Sequence, residues 1–443
     1  MRGARRVTAH LTTAVALVVA AFGLAAGSAA DPSASAAQGH LQPTAWVAGW
    51  AAAPSGVAPV GLVGATLRMA VTVDAPGTAV RVHLSNALVP GATTFGHVTV
   101  GMAGTGPAVR PGTSRTLRFA GSRTVTVPAG AGAWSDPVAM AVRAGARLAV
   151  SVFAADAPDV TSVDDSTDVA AWSSTSGDRA LSTTGARFTV PPGGVPRWRV
   201  VDGIALAAPR GWSTLVAFGD SITAGYQYHQ VPGDPTWPVL LAQQLAVGGS
   251  RSCTVSVVNE GISANFLTRK SVPGFSGGPS GLSRFERDVL SQPGVHEVIV
   301  LLGTNDIAWD TTHGVPDVVG RLERSYRALV AEAHARGVRV VAATLTPAGD
   351  PAHPTLFLGG YSTAAAGARR VQVNRWIRTS HAFDGVVDFD RAVRSRTDPD
   401  VLASWADSGD HLHPSTWGYA AMVDAVGRPM VTGCPAGGAG PDH

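Results

Sequence analysis

Four short polar clusters hold most of the side chains in this sequence that could do chemistry: Gly219-Asp220-Ser221, Asn259-Glu260-Gly261-Ile262-Ser263, Gly303-Thr304-Asn305-Asp306 and Asp410-His411-Leu412-His413-Pro414. Taken singly, each has an innocent reading: two turns, an Asn-Asp helix cap, and a surface loop or His-x-His metal pair. Taken together they contain the parts of a nucleophilic site. A serine needs a base, and His413 can accept the Ser221 proton and later deliver it to a leaving group. Asp410, three residues before His413, is near enough in one loop to orient the ring and support its positive charge. Asp407 is the less favoured partner, and His411 is read as a neighbour of the base. A tetrahedral oxyanion needs donors, and the backbone N–H groups of Ser221 and Gly261 with the side-chain amide of Asn305 would supply them, the glycine leaving no Cβ in the way. The metal reading of His411 and His413 lacks an accompanying HExxH or other ligand cluster, so no metal is expected.

Such a site requires elements that bring distant loops together. Residues 215–218 are an apolar run that breaks at Gly219-Asp220-Ser221, the form of a buried parallel strand ending at an open sheet edge, where ligands bind. Beyond it the pattern predicts helices over 237–246, 282–290, 317–336, 364–380 and 415–426, and strands over 254–258, 297–302, 338–345 and 386–389. This alternation is that of a parallel sheet covered on both faces, with the four clusters in loops that follow strands. Loops over 226–237, 266–279, 309–314 and 346–361 would wall the pocket, with Tyr226, Trp309 and Phe357 as candidate substrate contacts or simply loop packing. Residues 46–208 read differently. Short alternating segments such as 66–73, 79–84 and 147–153, separated by turn residues, predict half-buried antiparallel strands and an all-β sandwich. Trp50, Trp134, Trp172 and Trp198 in this part could stack on sugar rings or fill the core.

GDSITAG at 219–225, NEGIS at 259–263, GTND at 303–306 and DHLHP at 410–414, in this order, resemble the four signature blocks of the SGNH/GDSL hydrolase superfamily. Ile222 stands where the family's name has Leu, a common variant. The tract 383–414 is similar to secreted actinobacterial members that carry a β-rich N-terminal region. The resemblance covers 214 to about 429, and more weakly the residues from 46 onward. It implies an α/β fold with a flavodoxin-like, doubly wound, five-stranded parallel sheet over 213–430, preceded by a jelly-roll-like β-sandwich over 46–208. It also implies ester hydrolysis without a cofactor. Carried over residue by residue, it assigns Ser221, Gly261, Asn305 and His413, with Asp410 as the third triad member. The Gly-x-Ser-x-Gly elbow of α/β-hydrolases is absent around Ser221, which argues against that fold.

Composition sets the compartment and the partners. A chain of 443 residues with 52 Gly and 30 Pro is too long for one ordinary core. Arg2, Arg5 and Arg6, then an uncharged apolar stretch and small residues at 28–30, read as a signal peptide, with cleavage after residue 30 or as late as 37. Three of the 34 basic residues and none of the 31 acidic ones fall in that segment, so the mature chain is near neutral and lacks the basic bias of a nucleic-acid binder. The expected location is extracellular, with no stable membrane insertion after cleavage. Two cysteines, Cys253 and Cys434, in an exported chain predict a disulfide. The expected partner is a small-molecule or polysaccharide ester, and the expected state is a monomer. The function read from these residues is a secreted esterase for acylated carbohydrate or small acyl esters. A lipase or lysophospholipase for longer chains is the alternative within the class, and a noncatalytic carbohydrate- or wall-binding protein is the alternative outside it.

Overall fold

The computed structural model describes residues 45–434 apart from 59–62, 158–159, 164–168, 175, 191–199, 227–234, 248–252, 273–276, 356–359 and 433. The signal segment, Trp198 and Phe357 therefore lie outside the described residues. From Ala45 to Ala208 the chain builds antiparallel sheets. One has the order 45–51, 201–208, 77–85, 132–134, with 138–142 also paired to 77–85. The larger has the order 188–189, 170–174, 65–73, 146–156, 93–102, 115–116, with 125–127 joining 93–102. Alternation places Val80, Val82, Ile204 and Leu206 of the first sheet in one core with Met69, Val71, Val98 and Val150 of the second. Burial of alternate side chains is the force that holds two such sheets face to face.

After the turn at 209–212 the chain becomes α/β. In order come β1 (Ser213–Gly219), α1 (Ser221–Ala224), α2 (Trp237–Ala246), β2 (Val255–Gly261), α3 (Gly281–Phe285), β3 (Val295–Leu301) and α4 (Thr304–Thr312). They are followed by α5 (Val318–His334), β4 (Arg339–Ala343), α6 (Ala364–Thr379), β5 (Gly385–Val387), α7 (Phe389–Val393) and α8 (Thr416–Val426). The five strands are parallel in the order β2-β1-β3-β4-β5, so the strand order reverses beside β1. That reversal opens a crevice at the carboxyl end of β1, where Ser221 lies. Continuous apolar runs such as Leu215, Val216, Ala217 and Phe218, all fully buried, are what a strand covered on both faces requires.

Among the elements that differ from the sequence reading, two lie beside the site and one, the helix Phe389–Val393, begins where a strand was expected to end. Residues 309–314, expected as loop, belong largely to α4. Its first turn is Thr304, Asn305 and Asp306, weak helix formers that hide it from propensity, while Ile307 and Ala308 anchor it by burial. The stretch 282–290 is helical but switches after Phe285 to one π-helical turn, Glu286–Leu290.

All described residues fall in one compact unit. The strand 45–51 is where its two sheet systems meet. Val47 and Trp50 face the β core, whereas Ala48 and Ala51 belong to the core of the α/β part. The Ala48 N–H lies 2.8 Å from Pro293 O and 3.0 Å from Thr214 Oγ1, so the main chain is also tied across. Cys253, just before β2, is disulfide-bonded to Cys434, 181 residues away. No described helix is long and apolar enough to cross a membrane.

Candidate active site

β1 ends at Gly219, where a Cβ would meet Leu301 O at 2.6 Å. Asp220 then caps α1, its Oδ1 accepting the Ile222 N–H at 3.1 Å, and Gly225 closes the turn at φ 98°. This holds Ser221 at the first helical position, partly exposed at the sheet edge. Its N–H finds no acceptor among the described residues, as expected for the start of a helix.

The Ser221 Oγ lies 2.8 Å from His413 Nε2, although 192 residues separate them, and His413 Nδ1 lies 2.7 Å from Asp410 Oδ2. Asp410 Oδ1 accepts the N–H groups of Leu412 (2.9 Å) and His413 (2.8 Å), so its own loop locks the carboxylate. Burial would raise the Asp410 pKa, but hydrogen bonding and charge from His413 and the two backbone donors bring it below the ordinary value. An ionised carboxylate can only accept, so Nδ1 carries the hydrogen and Nε2 is left to receive the serine proton. Asp407 turns to the other histidine: its Oδ2 lies 2.6 Å from His411 Nδ1. Each histidine of the loop thus has its own carboxylate, and His411 and His413 do not converge as metal ligands would. The tightest group with metal-ligand spacing among the described residues is Asp350, His353 and Asp398, with ligand atoms within 4.8 Å, and no triad member takes part in it.

The expected oxyanion donors are placed unevenly. Asn305 heads α4, buried, with Nδ2 donating one hydrogen to Asn265 O at 2.8 Å while its Oδ1 accepts from Tyr361 Oη at 2.6 Å. The Asn265 carbonyl, which can only accept, fixes which end of the amide is the nitrogen, and the second Nδ2 hydrogen is left to point elsewhere. Gly261 requires correction as a donor: its N–H is given to Asn259 Oδ1 at 2.9 Å. The glycine serves packing instead, since a Cβ there would lie 2.2 Å from the backbone nitrogen of Ala224. Three residues on, Ala264 holds a left-handed backbone (φ 58°), and its N–H finds no acceptor among the described residues.

Beneath these groups lies Arg284, 1 % exposed. It donates to Gly219 O (2.8 Å), Glu260 O (2.8 Å) and Asn265 Oδ1 (3.0 Å), pairs with Asp288 (3.0 Å), and sits 4.0 Å over the Phe218 ring. One guanidinium therefore joins the ends of β1 and β2 to the loop that holds Asn305. Asp306 pins the next stretch, accepting from Leu267 N (2.7 Å), Thr268 N (3.0 Å) and Thr268 Oγ1 (2.6 Å). Neither Arg284 nor the support from Tyr361 was legible beforehand. The only hint was the i, i+4 spacing of Arg284 and Asp288 on a predicted helix.

Of the candidate substrate contacts, Tyr226 places its ring 4.6 Å from that of His413, centroid to centroid. Trp309 stacks on His313 at 3.7 Å and meets Phe266 edge-on at 6.4 Å, a contact that α4 creates by bringing 309 and 313 onto one face.

A partly exposed serine, an imidazole and an ionised carboxylate hydrogen-bonded in series at the carboxyl edge of a parallel sheet have the geometry that acyl transfer through a serine demands. Residues 217–421 match the model of the GDSL-like Lipase/Acylhydrolase family. The protein is a carboxylic ester hydrolase. Similar solved structures include the native aryl esterase of M. smegmatis, at 19 % identity, 48 % of this chain and 96 % of that one, TM-score 0.36. A carbohydrate acetylesterase from Sinorhizobium meliloti shows 19 % identity over 48 % of this chain and 96 % of its own, TM-score 0.34. An acetyl xylan esterase from Geobacillus stearothermophilus shows 19 % identity over 51 % and 97 %, TM-score 0.37. No curated protein matches the chain significantly.

Proposed function

We propose that this protein is a secreted serine esterase that cleaves small acyl esters or acylated carbohydrate through Ser221, His413 and Asp410. The hydrogen-bonded series from Asp410 through His413 to the Ser221 hydroxyl carries the reading. Ser221 Oγ attacks the ester carbonyl as His413 Nε2 takes its proton. The Ser221 N–H, the remaining Asn305 Nδ2 hydrogen and the Ala264 N–H receive the oxyanion. Collapse breaks the bond to the alcohol, which leaves with the proton from His413, and the acyl group stays on Ser221. Water, deprotonated by His413, then attacks the acyl-enzyme, releasing the acid and restoring the serine. Tyr226, whose ring lies against His413, and Asn305, held by Tyr361, are aromatic or polar, which supports short acyl groups over a chain needing a long aliphatic wall. In the same reading residues 1–30 direct export, the β-rich part is a jelly-roll-type sandwich, the α/β part is doubly wound, and the protein acts as a monomer.

Fluorophosphonate labelling with mass mapping is the direct test. The label is expected on Ser221, with Ser221→Ala losing at least about a thousandfold in kcat on p-nitrophenyl acetate. A label elsewhere, or a fully active variant, rules the mechanism out. A series from acetyl to long-chain esters should show activity falling as the chain lengthens.

A further inference from the structure

A second polar pocket, of about 230 Å³, lies where the β-rich part meets the α/β part. His83, Trp134 and Asp202 line it from the antiparallel sheet, and Glu260, Arg287 and Ser291 from the other side. None of them belongs to the triad or to the oxyanion donors. The protein leaves several of its hydrogen-bonding atoms without partners. Glu260, 1 % exposed, accepts from Gln292 through Oε1 (2.8 Å), but its Oε2 is buried and unbonded. Among the described residues, His83 Nε2, Trp134 Nε1 and Ser291 Oγ likewise have no protein partner, whereas His83 Nδ1 is held by Asp202 at 2.5 Å. Burial, with Asp288 adding to it, pushes the Glu260 pKa well up, which favours the protonated carboxyl, and a buried polar atom without a partner is costly enough to mark a place for one.

The lining also says what kind of ligand fits. Asp202 and Asp288 are matched by Arg287 and the adjoining Arg284, while burial favours the neutral form of Glu260, so the walls carry little net charge and do not select an ion. Both donors and acceptors are free, and the Trp134 ring, 4.8 Å from His83, adds an apolar surface. The volume is below the roughly 300–1,000 Å³ of pockets for drug-sized molecules, so a single ring is the right scale. We infer that this pocket binds one neutral, polyhydroxylated ring, a monosaccharide unit, at a site separate from the catalytic serine.

Unacylated sugars test this without any turnover, so the outcome is independent of the esterase reading. Glucose, xylose and N-acetylglucosamine would each be titrated into the full-length protein, following tryptophan fluorescence and heat. At least one is expected to bind saturably, with a Kd on the order of 1 mM, and Ser221→Ala should bind it equally well. Trp134→Ala should weaken binding at least tenfold. Ser291→Tyr, at an exposed position where a larger side chain reaches into the mouth without disturbing the core, should do the same with an unchanged circular dichroism spectrum. No saturable binding up to about 50 mM, binding that survives both substitutions, or capture of ethanolammonium at these residues in place of any sugar would each overturn the inference.

Discussion

The residues that decide this site do so through what holds them. Asn305 offers a useful hydrogen only because Tyr361 fixes the other end of its amide, at 2.6 Å. Tyr361→Phe removes that restraint while keeping the ring, so kcat should fall about tenfold with KM nearly unchanged, since the amide matters most when charge develops on the substrate oxygen. An unaltered kcat would show that the amide is held by Asn265 alone. Asp220 makes a second case. Burial pushes its pKa up from 3.8 to about 7, with Asp306 adding to the rise while the Ile222 N–H and Arg284 oppose it, and its Oδ2 has no partner. The folded protein thus holds a proton that the unfolded chain releases near pH 4. Stability from this group is complete below that pH and is lost as the pH rises to about 7, a cost of about 4 kcal/mol at most. Asp220→Asn carries no such charge. Urea unfolding at pH 4, 6 and 8 should show the stability difference between variant and native protein moving steadily in the variant's favour, and a pH-independent difference would contradict a raised pKa.

At the level of elements, the α3 region is the frame of the site, because Arg284 gathers the carbonyl ends of two strands and the Asn265 loop. Lysine has the charge but not the planar fork, so Arg284→Lys cannot serve all these acceptors together. We expect kcat and the fluorophosphonate labelling rate to drop together by tenfold or more, with a smaller change in KM. If only the melting temperature moves, Arg284 is a stability residue and nothing more. Much of the architecture could be read beforehand where periodicity was strong. The amphipathic α5, expected over 317–336, spans Val318–His334, and the buried β1 ends at the expected serine. What escaped was non-local or locally disfavoured. α4 opens on Thr304-Asn305-Asp306, which favour caps and turns. Arg284 looks like any solvated helix charge until the fold buries it. The occupied N–H of Gly261 depends on the side chain of Asn259 two residues earlier, and no spacing rule reveals that.

For the whole molecule, the bond between Cys253 and Cys434 closes 181 residues that include most of the α/β part. The chain-entropy treatment puts the stabilisation from such a loop at about 5 kcal/mol as an upper figure. Cys434→Ser should therefore lower the melting temperature by several degrees, and reductant should do the same to the native protein but nothing to the variant. Equal melting temperatures with and without reductant would mean that the cross-link adds no stability.

The first described strand has one further consequence. Because its side chains alternate between two interiors, Ala48 and Ala51 fill space beneath the hydrolase sheet while Val47 and Trp50 fill the sandwich. An engineer who wished to trim this enzyme to its α/β half, or to exchange the front half for a different module, would find no clean place to cut. Seven residues near the start of the chain would have to travel with the half that begins some 160 residues later.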